Sequence, residues 1–198
     1  MSKSDFITFF STENQVNTRL VRKDTSILMK FLKWCLKITD GLSITAIGDF
    51  SKYSTTVGRT IYTSQVIIDQ CTGMDAHPVP SPHILHELTH VLMWSPAYAI
   101  RYLLSKSYRI EVEVACFLTE MSCSSSARSV DYVNSRAGML MAYGVAREDA
   151  LTALLAMRAG VQCETDVTLW NPPQGRTGVL IQAARDVCQT YKRWLGAG

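Results

Sequence analysis

At 198 residues, with 47% hydrophobic and 19% charged residues, the chain is long enough to bury the core of one domain and is not of disordered composition. A net charge of +3 is too small to argue for a nucleic-acid partner, and no apolar run approaches the length of a membrane span. Together with an opening that lacks a signal-like apolar run, this predicts a single domain retained in a reducing cytoplasm, with neither nucleic acid nor membrane as partner.

The first predicted element is a helix from residue 24 or 25 to residue 38. Ile27, Leu28, Phe31, Leu32, Trp34 and Cys35 form its apolar face, with Lys30, Lys33 and Lys37 to one side. Such a helix packs on a sheet with its lysines in water, or lies on a membrane surface. Gly41 ends it, and residues 42–47 alternate as a strand would. Residues 49–58 are polar and turn-like. Residues 59–68 are β-rich and predict one or two strands, and residues 71–80 read as a loop with Gly73, Pro78 and Pro80.

Next comes a short helix over residues 83–94. Ser81-Pro82 starts it, Ile84, Leu85, Leu88, Val91 and Leu92 recur at helical spacing, and Pro96 closes it. Helices are then predicted over 97–106, 108–121, 130–143, 147–158 and 177–195. Residues 123–128 form a serine-rich linker and residues 162–175 a loop. The six cysteines (Cys35, Cys71, Cys116, Cys123, Cys163, Cys188) form no CxxC pair, which argues against a structural zinc site built from thiolates. Cys116 stands apart because it lies near a candidate metal ligand.

The helix over 83–94 carries His86-Glu87-Leu88-Thr89-His90, an HExxH motif. Residues i and i+4 share a helical face, so both imidazoles can reach one metal ion, with Glu87 angled between them to act on a metal-activated water. The competing reading, two core histidines without a metal, leaves a glutamate beside them without a counter-ion.

A catalytic zinc takes three protein ligands and keeps a fourth position open. Of the four histidines, the other two, His77 and His83, precede the motif, and no histidine follows at metzincin spacing. His83 lies one turn before His86, but three ligands on consecutive turns splay along the axis. Carboxylates remain: Glu111 and Glu113, about 200° apart around a helix. Arg109, Glu113, Cys116 and Glu120 share the more polar face, while Glu111 shares one with Tyr108, Ala115 and Leu118. Periodicity leaves both open.

HELTH followed by Glu113-Val114-Ala115-Cys116-Phe117 resembles the gluzincin metallopeptidases, especially the small cytoplasmic ImmA/IrrE-like group. Over residues 40 to 122 the resemblance implies an α+β, zincin-like fold. A small N-terminal sheet, with a hairpin at Lys52-Tyr53-Ser54 and Arg59-Thr60-Ile61-Tyr62, precedes the HExxH helix, and the C-terminal half is mostly helical. It implies Zn2+ as cofactor, His86, His90 and Glu113 as metal ligands, and Glu87 as the catalytic base. Val114 and Leu118 stand where that group often has alanine, which keeps Glu111 a rival ligand.

The function expected is a zinc-dependent metallopeptidase acting on a protein or peptide substrate. Tyr98, Tyr102, Tyr108, Tyr143 and His83 are candidate oxyanion donors, and residues 59–64 are the expected edge strand for β-addition of substrate. The alternative is a zincin-fold regulatory or phage virion-associated protein that binds partners through its C-terminal helices, since similar isolated domains occur in bacterial and phage regulatory systems. A third reading anchors the lysine-bearing helix on a membrane surface.

Overall fold

The structure is a computed structural model of the chain, describing residues 5–30, 54–72, 80–142, 145–152, 154–155 and 176–196. The expected strand over 42–47, the loop over 162–175, Tyr143 and most of the lysine-bearing helix lie outside the described residues. Of that helix, residues 27–30 are helical.

α1 (Phe6–Glu13) precedes every element expected from the sequence. Asp5 caps it, accepting from the Thr8 backbone N–H at 2.9 Å and from the Thr8 hydroxyl at 2.8 Å. Phe6, Ile7 and Phe10 are buried. The helix closes at Asn14, whose backbone N–H and side-chain amide both donate to the Phe10 carbonyl.

β1 (Arg19–Arg22), β2 (Thr55–Val57) and β3 (Thr60–Thr63) form a sheet in the order β1-β3-β2. β1 runs parallel to β3, with Arg19 opposite Thr60. β2 runs antiparallel, with Thr55 opposite Tyr62. Gly58, at φ 67°, makes the turn between β2 and β3, a conformation that favours glycine. Three expectations are corrected here. Residues 55–57 form a strand rather than a turn, because the hairpin pairs these β-branched residues. The run through Ile68 becomes α2 (Gln65–Thr72), whose first turn the Ser64 hydroxyl supports by accepting from the Ile67 N–H. The segment over 59–64 is not an edge strand: β3 is bonded on both sides, and among the described residues the edges are β1 and β2.

The motif helix is α3 (Pro82–Met93), with Pro82 at its first position. Ser81 occupies the cap position, but its hydroxyl makes no capping bond. Then follow α4 (Pro96–Leu104), α5 (Lys106–Cys123), a 3-10 turn (Ser126–Arg128), α6 (Val130–Ala142) and α7 (Arg176–Gly196). Ser95 and Ser105 cap α4 and α5 through the N–H groups of Tyr98 and Tyr108. The chain is thus α+β, with a small sheet and a mostly helical remainder among the described residues.

The apolar faces meet in three clusters. Phe6 and Phe10 of α1, Ile61 of β3, Ile84, Leu85 and Leu88 of α3, and Val187, Tyr191 and Trp194 of α7 form the first. Met93, Tyr98, Val112, Ala115 and Leu180 join α3, α4, α5 and α7. Phe117 and Met121 of α5 pack with Val133, Ala137 and Leu140 of α6 and with Leu154. α5 is common to the second and third clusters, which holds it against α3. No helix among the described residues is long and apolar enough to cross a membrane. Cys71, Cys116, Cys123 and Cys188 are free thiols.

Because Phe10 is fully buried in the first cluster, Phe10→Ala should cost about 3 to 5 kcal/mol of stability in denaturant unfolding. A loss below about 1 kcal/mol would mean that α1 is not part of the core.

Candidate metal centre

The seam between α3 and α5 holds an unusual concentration of buried polar groups: His86, Glu87, Thr89 and His90 from α3, and Glu113, Cys116, Thr119 and Glu120 from α5. A helix ordinarily turns its polar face to water. On α5 the face bearing Glu113, Cys116 and Glu120 is turned inward instead. The Thr89 and Thr119 hydroxyls share a hydrogen bond of 2.9 Å across the seam and fix the register of the two helices.

That register brings the expected ligands together. The Nε2 atoms of His86 and His90 lie 3.2 Å apart. Glu113 places Oε2 3.4 Å from His86 Nε2 and Oε1 3.7 Å from His90 Nε2. Two nitrogens each about 2.05 Å from a tetrahedral zinc stand about 3.3 Å apart, so the donor spacing fits one ion between them. Glu111 is half-buried on another face of α5. His83 does not join the group, since its Nε2 accepts the Ser54 backbone N–H at 3.2 Å.

A buried His86, His90 and Cys116 group could also hold a metal ion, with its three donor atoms within 4.8 Å of one another. The Cys116 Sγ lies 3.6 Å from His90 Nε2.

Behind each of the side chains of His86, His90 and Glu113 lies a polar partner. His90 Nδ1 meets the Tyr98 hydroxyl at 2.8 Å, and the Tyr102 hydroxyl donates to Glu113 Oε1 at 2.5 Å. His86 Nδ1 lies 3.2 Å from Glu120 Oε1, within ion-pair distance but without the alignment of a hydrogen bond. Glu120 is itself gripped by Arg136, whose Nε and Nη2 donate to its two oxygens at 3.0 and 3.2 Å, and by the Tyr132 hydroxyl. Such carboxylate–histidine pairs fix ring orientation and raise ligand basicity.

Glu87 is buried, and its Oε2 accepts the Thr56 hydroxyl of β2 at 2.5 Å. The buried Lys23 donates to Thr55 at 2.7 Å. Burial lowers its pKa to about 8, against the opposing pull of Glu87.

Burial disfavours a charged His86, yet Glu113 and Glu120, one at each ring nitrogen, outweigh it and hold its pKa up to about 10. Burial likewise disfavours the Glu113 carboxylate, but His86, His90 and Tyr102 bring it down to about 2. His90, with burial as its largest influence, is shifted down. Burial, reinforced by the neighbouring carboxylates, pushes the Cys116 thiol well up.

Thr56 and Glu120 escaped the sequence reading as site residues. Glu120 left a trace, since it falls two turns after Glu113 on the same polar face. Thr56 left none, because nothing local ties a hairpin threonine to a helix that follows it at a distance. Of the candidate oxyanion donors, Tyr98 and Tyr108 are buried, while Tyr102 is half-buried with its hydroxyl at Glu113. No protein-family model, curated protein or solved structure matches the chain.

A metal at the histidine pair must displace the proton that the two carboxylates hold on His86 at neutral pH. Apparent zinc affinity should therefore rise with pH across neutral, by at least about tenfold per pH unit while His86 remains charged. Competition against a chromophoric chelator across neutral pH measures this. An affinity independent of pH would contradict it.

Proposed function

We propose that the protein is a zinc-dependent metallopeptidase of gluzincin type, with His86, His90 and Glu113 as metal ligands and Glu87 as general base. The observation that carries this reading is the position of Glu113: its two oxygens lie 3.4 and 3.7 Å from the Nε2 atoms of the HExxH histidines. Two imidazoles and a carboxylate suit zinc, and three protein donors leave a position for water. The order of elements agrees with a zincin-like fold, in which an antiparallel hairpin precedes the motif helix and the third ligand comes from a later helix.

When bound, zinc supplies Lewis acidity to a water and to the substrate carbonyl. Glu87, with one oxygen held by Thr56, takes the water proton on its carboxylate and returns it to the leaving amine. Tyr102 stabilises the negative charge that develops on the carbonyl oxygen by turning to it the hydroxyl that otherwise donates to Glu113. Because β3 is a central strand, an extended peptide pairs with β2, which carries Thr56 and is an edge strand among the described residues.

The test is hydrolysis of an unstructured peptide mixture by the zinc-loaded protein. Glu87→Gln should keep its metal and lose about 100- to 10,000-fold in rate. Tyr102→Phe should keep its metal and lose about 100-fold or more in kcat. Undiminished hydrolysis by Glu87→Gln would overturn the assignment of the base, and zinc-loaded protein that cleaves nothing, with Cys116 intact or replaced by Ser, would overturn the peptidase reading.

A further inference from the structure

We propose that Cys116 is a fourth protein donor to the metal, so that the resting centre is closed and its thiolate occupies the position that water must take for catalysis. The inference rests on the metal reading above and adds a regulatory property to it. Cys116 follows Glu113 by three residues on the same inward face of α5, so one helix turn presents both donors to the histidines. A sulfur about 2.3 Å and a nitrogen about 2.05 Å from a tetrahedral zinc stand about 3.6 Å apart. Cys116 Sγ and His90 Nε2 are separated by 3.6 Å.

Free buried cysteines ordinarily act as small hydrophobes among apolar side chains. Cys116 is fully buried in the cluster that holds Tyr98, Val112 and Leu180, and it also sets its sulfur against the His90 imidazole and within donor range of His86. The thiol releases its proton to solvent as it binds. A thiolate also favours zinc or cobalt over magnesium, calcium and manganese. Water enters when the thiolate moves away, so the resting protein is latent.

Cobalt(II) titrated into the metal-free 198-residue protein tests this. The expected result is tetrahedral d–d absorption together with a thiolate-to-cobalt charge-transfer band in the near ultraviolet. Cys116→Ser should abolish that band and keep the d–d absorption, while Cys71→Ser should change neither. Should Cys116→Ser fail to fold, X-ray absorption of zinc-loaded wild-type protein gives the same answer, with one sulfur expected at about 2.3 Å. Cobalt bound without the charge-transfer band, or zinc without a sulfur neighbour, overturns the thiolate ligand and leaves the metal site standing. No cobalt or zinc bound at all overturns both.

Discussion

Two carboxylates buried in the seam between α3 and α5 are the constraint on which the rest of the structure depends. Burying an ionised group is costly unless it is paired and hydrogen-bonded. Glu113 and Glu120 are both almost wholly removed from water. Between them sits His86, facing Glu113 through Nε2 and Glu120 through Nδ1. Beyond Glu120 lies Arg136, at 3.0 Å. Charges therefore alternate along a line that runs from the motif helix through α5 to α6.

That line gives the C-terminal helices a role at the site. Arg136 and Tyr132 belong to α6, and Arg136 stacks over the Phe117 and Tyr132 rings while gripping Glu120. Packing among Phe117, Met121, Val133, Ala137 and Leu140 fixes α6 against α5 and so fixes the guanidinium. On the opposite side, Ile61 of β3 packs against Ile84, Leu85 and Leu88 of α3, and the adjoining β2 brings Thr56 to Glu87. The sheet orients the proposed base and the helical half orients a proposed ligand.

The sequence was most legible where one helix carries both pattern and chemistry. Pro82 and Pro96 bracket α3, its apolar period is regular, and the HExxH spacing is local. Legibility fell where a contact crosses elements. Periodicity separates Glu111 from Glu113 but cannot say which face meets the histidines, because that depends on how α5 packs. α1 and β1 are too short for their periods to stand out, and α1 depends on a cap at Asp5 and burial against Tyr191 and Trp194 far along the chain. The β-rich composition of 59–68 overrode the Ser64 cap that begins α2. The edge position expected for 59–64 came with the zincin resemblance, and β1, the second neighbour of β3, has no signal of its own in the sequence. A polar face on α5 ordinarily means solvent, and the inward turn of Glu113, Cys116 and Glu120 appears only with the neighbours in place.

The account centres on Glu113 completing a metal site with the HExxH histidines. Elemental analysis of the purified 198-residue protein beside its Glu113→Ala and Glu111→Ala variants tests it most directly. It predicts about one zinc per chain in the wild type and in Glu111→Ala, and loss of the metal in Glu113→Ala. A wild-type protein without stoichiometric metal, or a loss confined to Glu111→Ala, would contradict it.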